Sequence, residues 1–163
     1  MRLTAALLAL LLPATALAQT QVPFAGLGAE RDAPVELAAE SLEVDQAGGR
    51  ALFSGEVLVV QGGLRLAADR VEVIYATDEA TGRNRIARLE ASGNVTLVTP
   101  EDAAEAATAL YDLDAGRITL TGDVVLTQGG NALAGERLVI DLDRRTGRME
   151  GRVRSVILPD SRP

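Results

Sequence analysis

Apolar and polar residues alternate along the chain from Pro34 to Leu158. Short runs of Val, Leu, Ile and Thr alternate with polar side chains, and turns that contain glycine separate these runs at the spacing of β-hairpins. Alternation with a period of two places successive side chains on opposite faces of a strand. The pattern therefore predicts one all-β domain over residues 34–158.

The interval Pro100–Tyr111 has a composition that also suits a helix. Its sequence, PEDAAEAATALY, is rich in alanine and glutamate, which favour helices. Because it lies between two strand patterns, a loop, or a strand beginning near Ala107, fits the interval equally well. We favour the strand beginning near Ala107.

The strand pattern repeats. Each unit has an alternating segment, a Gly-Arg turn and a Gly-x-Val strand, in that order. The alternating segments begin at Ala39, Ala68, Ala107 and Gly135, and the Gly-x-Val elements begin at Gly55, Gly93, Gly122 and, less well preserved, Gly151. The glycines are separated by 38, 29 and 29 residues, so a unit of about 29 residues makes two strands and the longest interval carries an insertion.

Each of the first three glycines shares its parity with apolar residues, which predicts an inward face for Gly55, Gly93 and Gly122. Glycine weakens a strand, so a repeated glycine indicates a bend in the sheet or a close approach to its backbone. The parity of the apolar residues changes after Ala68, which predicts a slip near Asp69–Arg70. The predicted interior lining is Phe53, Val57, Val59, Leu64, Leu66, Val71, Val73, Leu89, Val95, Leu97, Ile118, Leu120, Val124, Leu126, Leu138 and Ile140.

The first residues have the composition of a secretory signal peptide. Arg2 precedes the apolar run Leu3–Leu12, and Ala16-Leu17-Ala18 is a small-residue cleavage site. A membrane anchor is the alternative, but the apolar run is short for a bilayer. We expect a signal peptide at residues 1–18, a flexible lead-in at 19–33 and a C-terminal tail at 159–163.

Charge and composition exclude several functions. The formal net charge is −7, and it becomes −8 when Arg2 is removed with the signal peptide, which argues against nucleic acid as a partner. The chain has no histidine and no cysteine, so Ser-His-Asp catalysis, Cys-His catalysis and the usual zinc sites are unavailable. A pair of carboxylates could hydrolyse glycosides, but the acidic residues lie mostly at strand edges and turns, as on a solvated face. We expect no catalytic residue, no metal site and no cofactor.

Four segments, read in order, resemble the OstA-like, or LptA, family of lipopolysaccharide transport proteins. They are PVELAAESLEVDQ (34–46), ALFSGEVLVVQGGLRLAADRVEVIY (51–75), RLEASGNVTL (88–97) and ALYDLDAGRITLTGDVVLTQGGNALAGERLVIDL (109–142). The resemblance implies a β-jellyroll, a V-shaped stack of antiparallel strands open at both ends. It also implies that acyl chains of lipopolysaccharide (lipid A) lie inside the fold while its sugars stay outside, in the periplasm.

An open sheet leaves edge strands that could pair with other molecules. The resemblance implies that the partners are like-folded domains of an inner-membrane LptC-type protein and an outer-membrane LptD-type protein, with head-to-tail homo-oligomers also possible. The candidate edge residues are Leu37, Leu42, Val44, Val153 and Ile157. Two other hypotheses stay open: a membrane-anchored partner of the same fold, and a structural β-repeat protein with a dry core.

Overall fold

The computed structural model describes residues 20–23 and 30–159. The predicted signal peptide and residues 160–163 of the predicted tail lie outside the described residues. Among the described residues, no helix is long and apolar enough to cross a bilayer.

Eleven strands form one antiparallel sheet, which confirms the all-β prediction. They are β1 (Thr20–Pro23), β2 (Glu36–Ala38), β3 (Ser41–Asp45), β4 (Arg50–Gln61), β5 (Leu64–Thr77), β6 (Asn84–Val98), β7 (Asp102–Asp112), β8 (Arg117–Gln128), β9 (Asn131–Asp141), β10 (Thr146–Glu150) and β11 (Arg154–Val156). The strand order is β1-β10-β9-β8-β7-β6-β5-β4-β2, with β3 paired to β4 and β11 paired to β9. The central strands β4 to β9 follow one another along the chain because short turns connect each to the next.

Every central strand pair has a register shift at one level of the sheet. Between β4 and β5, for example, the pairing passes from Ser54↔Arg70 to Val57↔Ala68, so two residues of β4 lie opposite one residue of β5. Similar shifts occur at Ser92/Val95, Glu105/Thr108 and Thr121/Val124. At this level the edges are also divided, since β2 and β3 pair with different halves of β4. A β-bulge bends its strand, so a row of bulges creates a bend across the whole sheet.

The bend divides the sheet into two leaves. The upper leaf carries β3 and β10, and the lower leaf carries β2 and β11. A single hydrogen bond shows that the leaves face each other. Tyr111 on β7 lies at the same level of the sheet as Ala51 on β4. Ala51 precedes Gln61 by ten residues, a distance of about 33 Å along an extended strand. The Tyr111 hydroxyl nevertheless donates to Gln61 Oε1 over 2.8 Å. The sheet is therefore folded over on itself, with an apolar core between the leaves.

Two local predictions differ from the structure. Strand β7 begins at Asp102, so the helix and loop alternatives for 100–111 are wrong, and the strand begins earlier than Ala107. The lead-in at 19–33 is not wholly flexible, because Thr20–Pro23 pairs with β10 and Val22 is buried in the core. Neither feature has a strong local signal, since both depend on pairing partners that are distant in the chain.

Candidate functional site

The predicted lining residues form the interior between the leaves. Fifteen of the sixteen are buried, and Phe53 is partly buried and packs against them. Leu120, Leu126, Leu138 and Ile140 are each 0% exposed. The parity change after Ala68 is also confirmed, since Leu66 and Val71 are both buried on the same side. The burial of these residues agrees with the alternation; their role in lining a lipid groove stays a prediction.

Several interior residues were missed by the sequence interpretation. Met149, Leu142 and Leu133 are buried, and so are Tyr111 and the polar Gln61. Leu133 has the opposite parity to Leu138 and Ile140, because the register shift between β8 and β9 lies between them, so the alternation of β9 alone could not have identified it. Tyr111 and Gln61 are amphipathic or polar, so their burial depends on the partner that each finds across the fold.

The three glycines do not face the apolar interior, and that prediction is wrong. A Cβ on Gly93 would lie 2.9 Å from the Cβ of Asp69, and a Cβ on Gly122 would lie 2.7 Å from the Cβ of Ala107. Both of these neighbours are exposed. Alternation failed here because the bulge interrupts it: Gly93 and Gly122 have φ of 79° and 90°, outside the extended region that sets the parity rule.

The glycines instead accommodate side chains from the neighbouring alternating segments. Glu40 packs over Gly55, Asp69 over Gly93, Ala107 over Gly122 and Glu136 over Gly151. At both ends of the row the backbone supports this contact: Glu40 N–H donates to the Gly55 carbonyl over 3.0 Å, and Glu136 N–H donates to the Gly151 carbonyl over 3.1 Å. The two repeated sequence elements are therefore two sides of one contact at the bend.

The residue after each glycine also has a positive φ, and in two units its side chain holds the neighbouring carboxylate. Asn94 Nδ2 donates to Asp69 Oδ2 over 2.8 Å, and Arg152 Nε donates to Glu136 Oε1 over 2.7 Å. Asparagine tolerates this left-handed conformation better than most residues, whereas arginine does not. The ion pair with Glu136 offsets part of that cost for Arg152.

The free ends of the leaves meet at a mouth, which we define as the gap between the upper-leaf turns (113–116, 142–145) and the lower-leaf turns (62–63, 99–101). Residues 30–33 cross this mouth. The Glu30 carboxylate accepts a hydrogen bond from Gly63 N–H on the lower side. On the upper side, Arg31 forms an ion pair with Asp143 and donates from Nη2 to the Leu113 carbonyl over 3.0 Å.

A buried polar network holds the same crossing from inside. Gln61 Nε2 donates to the carbonyls of Arg31 and Ala33 over 2.8 and 3.1 Å, while Gln61 Oε1 accepts from Tyr111. Gln61 is 6% exposed and Tyr111 is 5% exposed. Burial raises the pKa of the Tyr111 hydroxyl, so it remains a proton donor to Gln61 at neutral pH.

Asp102 lies at the lower side of the mouth and is buried. Its Oδ1 accepts from Gln128 Nε2 over 2.8 Å, whereas its Oδ2 is buried without a hydrogen-bond partner among the described residues. Burial raises the pKa of this carboxyl, and the Gln128 hydrogen bond opposes the shift. The described residues contain no cluster of three or more side chains that could hold a metal ion.

The predicted edge residues occupy three different edges. Leu42 and Val44 lie on β3 and are 53% and 61% exposed, and Leu37 lies on β2 partly buried against the core. Ile157 follows β11 and is 68% exposed, whereas Val153 precedes β11 and packs against the core. At the C-terminal end, the edge of β10 is already paired with β1, which the sequence did not indicate.

These features define a class of protein: an all-β jellyroll in which a bent antiparallel sheet encloses a continuous apolar interior and leaves strand edges exposed. Residues 36–146 match the family model described as LptA/(LptD N-terminal domain) LPS transport protein. The chain belongs to this family, which consists of transport proteins and not enzymes.

Comparisons with individual proteins agree with this assignment. An uncharacterized protein of Rhizobium meliloti is 32% identical over 160 residues, covering 93% of this chain and 86% of that protein. The lipopolysaccharide export system protein LptH of Pseudomonas aeruginosa is 26% identical over 135 residues, covering 73% of this chain and 69% of LptH. The crystal structure of LptH, the LptA-homologous periplasmic component of the lipopolysaccharide transport device, has a TM-score of 0.68 at 24% identity. The superposition covers 80% of this chain and 99% of the LptH chain, and the similarity shows that the two folds are alike.

Proposed function

We propose that this protein binds lipopolysaccharide in the periplasm and shields its acyl chains between the two leaves during transport from the inner to the outer membrane. The observation that carries the proposal is the continuous apolar interior, which extends across strands β4 to β10 with no charged side chain among its fully buried residues. Family membership supports lipopolysaccharide as the cargo.

The energetics favour an apolar interior as the carrier. Each acyl methylene exposed to water costs about 0.8 kcal/mol, so a twelve-carbon chain needs roughly 10 kcal/mol of shielding. Val, Leu and Ile side chains supply this shielding without fixed hydrogen bonds, so a lipid tail can slide along them. Binding of this kind retains the lipid but gives no direction, so the direction of transport requires energy from elsewhere.

Site-specific photocrosslinking tests the interior directly. A benzophenone amino acid at Phe53 or Leu126, both on the interior side, should crosslink to lipopolysaccharide in the purified mature protein. Val125 is the matched control, because it is adjacent to Leu126 but is 39% exposed on the outer face. Crosslinking from Val125 alone would refute shielding between the leaves, and crosslinking from none of the three positions would favour a structural protein with a dry core.

We further propose that the edges of the sheet bind like-folded domains at the two membranes by strand pairing, and that copies of the protein can join head to tail in the same way. The exposed apolar side chains of Leu42 and Val44 on β3, and of Ile157 after β11, support this role. Deletion of residues 153–158 should abolish capture of the partner domains while the far-UV circular dichroism stays that of the intact fold. Unchanged capture by the folded deletion variant would refute strand pairing at β11.

A further inference from the structure

The interior of this protein is closed at the mouth, and this closure bears on how a lipid tail could enter. The side chains of the two leaves pack against each other, and the largest of them are fully buried. The leaves must therefore separate to admit a lipid tail. The described contacts that join the leaf ends at the mouth involve residues 30–33, Gln61 and Tyr111.

We propose that the mouth crossing at residues 30–33 is the entrance for acyl chains, and that a lipid tail enters by displacing this segment. This proposal rests on the proposed function and adds the location of entry. The interior opens when the contacts of Arg31, Gln61 and Tyr111 break, and it closes when they form again.

Adjacent residues bind opposite leaves, which is the geometry that a removable closure requires. Glu30 bonds to Gly63 in the lower leaf, and Arg31 bonds to Leu113 and Asp143 in the upper leaf. Displacing this short segment therefore removes its contacts with both leaf ends at once, and the hydrogen bond between Tyr111 and Gln61 must then break for the leaves to separate. By contrast, the strand ladder at the bend would have to lose many backbone hydrogen bonds to open the fold from the other side.

The chemistry of the crossing is also suited to reversible opening. Its contacts are hydrogen bonds and one partly exposed ion pair, and each such contact contributes only about 0.5–1.5 kcal/mol net in water. At the mouth, Gln61, Tyr111 and the buried Asp102 present polar atoms at one end of an apolar interior. When residues 30–33 leave, water can replace the carbonyls of Arg31 and Ala33 that Gln61 Nε2 binds, so opening need not leave this amide unpaired.

The first test measures the rate of lipid entry. A fluorescent twelve-carbon fatty acid is mixed with the full mature protein in a stopped-flow instrument. Arg31→Ala should raise the association rate about three- to tenfold, because it removes the upper-leaf contacts of the segment. Tyr111→Phe, which keeps the ring and removes only the hydrogen bond to Gln61, should raise it by a smaller factor.

Arg85→Ala is the matched control for the rate. Arg85 also forms an ion pair with an aspartate, Asp114, at an upper-leaf turn, but has no described contact with residues 30–33. Its association rate should equal that of the unmodified protein. Equal rates in Arg31→Ala and Arg85→Ala would overturn the proposal and place entry elsewhere, for example at an open end of the sheet.

A second measurement follows the segment itself. The chain has no cysteine, so Asp32→Cys provides a single site for a nitroxide label, and Asp32 is exposed. Addition of the fatty acid should increase the mobility of the label in its electron paramagnetic resonance spectrum. Fatty-acid binding without any change in mobility or rate refutes the entrance and leaves the proposed function intact. If no variant binds the fatty acid, the proposed function fails and the entrance fails with it.

Discussion

The contact between Gly122 and Ala107 provides the sharpest test of the bend. Replacement of Gly122 by alanine has two separable costs. Gly122 has a φ of 90°, where an L-residue is strained by about 1–2 kcal/mol. The added Cβ would also lie 2.7 Å from the Cβ of Ala107, an overlap that a change of rotamer cannot relieve and that costs about 1–3 kcal/mol. We expect Gly122→Ala to lower the free energy of unfolding by about 2–5 kcal/mol.

Two further variants separate these costs. Gly82 also has a positive φ, of 67°, but a Cβ there would meet nothing within 4 Å, so Gly82→Ala should cost only the backbone strain of about 1 kcal/mol. The double variant Ala107→Gly with Gly122→Ala moves the methyl group from one strand to the other. It should recover the free energy lost to the overlap while the backbone strain at position 122 remains. The recovered free energy appears as a coupling of at least about 1 kcal/mol in a double-mutant cycle.

Urea unfolding followed by far-UV circular dichroism measures five proteins: the unmodified protein, Gly122→Ala, Gly82→Ala, the single variant Ala107→Gly that the cycle requires, and the double variant. This probe suits a chain without tryptophan. The reasoning is refuted if Gly122→Ala loses no more stability than Gly82→Ala, or if the double-mutant cycle shows no coupling. Either result would mean that the glycine is required for its φ alone, and that the packing of neighbouring side chains over the bend is incidental.

Four other substitutions test the core and two of the carboxyls whose pKa is shifted. Leu138→Ala should lower the free energy of unfolding by about 2–5 kcal/mol, because Leu138 is 0% exposed. Leu110 is 37% exposed, so Leu110→Ala should lower it by less than about 1 kcal/mol in the same urea assay. Equal losses would contradict the assignment of these two residues to opposite faces of the sheet. The pKa of Asp102 is raised above the unfolded value of 3.8, so its charged form destabilises the fold at neutral pH. Asp102→Asn should therefore stabilise the protein at pH 7, and this advantage should disappear as the pH falls through the raised pKa towards 3.8. The pKa of Asp141 is lowered, chiefly by the hydrogen bond from Arg144 N–H, so its stabilisation is present above pH 3.8 and is lost as the pH falls through the lowered pKa. Asp141→Asn should destabilise the protein at pH 7 and converge with the unmodified protein in acid; a constant difference across the pH range would contradict this account.

The strands and the composition of the interior could be predicted from the sequence because alternation is a local property. Leu120 and Leu126 are six residues apart with matching parity, and both are fully buried. The repeat of about 29 residues also placed the strand pairs correctly, since short turns force neighbouring segments to pair. The slip at Asp69–Arg70 was visible because apolar residues on its two sides have opposite parity.

The glycines are the positions that alternation assigned wrongly. Parity assigned Gly122 to the interior. Because Gly122 has a positive φ at the bulge, however, a Cβ at this position would point towards the exposed Ala107. The sequence contained both repeated elements, the glycine and the acidic or small residue, without indicating that they touch. Their contact depends on the register between strands, which the bulge itself shifts.

The amino-acid sequence by itself determined which segments are strands, which side chains avoid water, and that histidine and cysteine chemistry is absent. These properties depend on the identity of each residue and its near neighbours. Only the tertiary structure decided that the sheet folds into two leaves, that Tyr111 meets Gln61 across the interior, and that residues 30–33 join the leaf ends. The physical reason is that those contacts join positions as far apart as Arg31 and Asp143, and their geometry follows from the summed bend of many strands rather than from any local pattern.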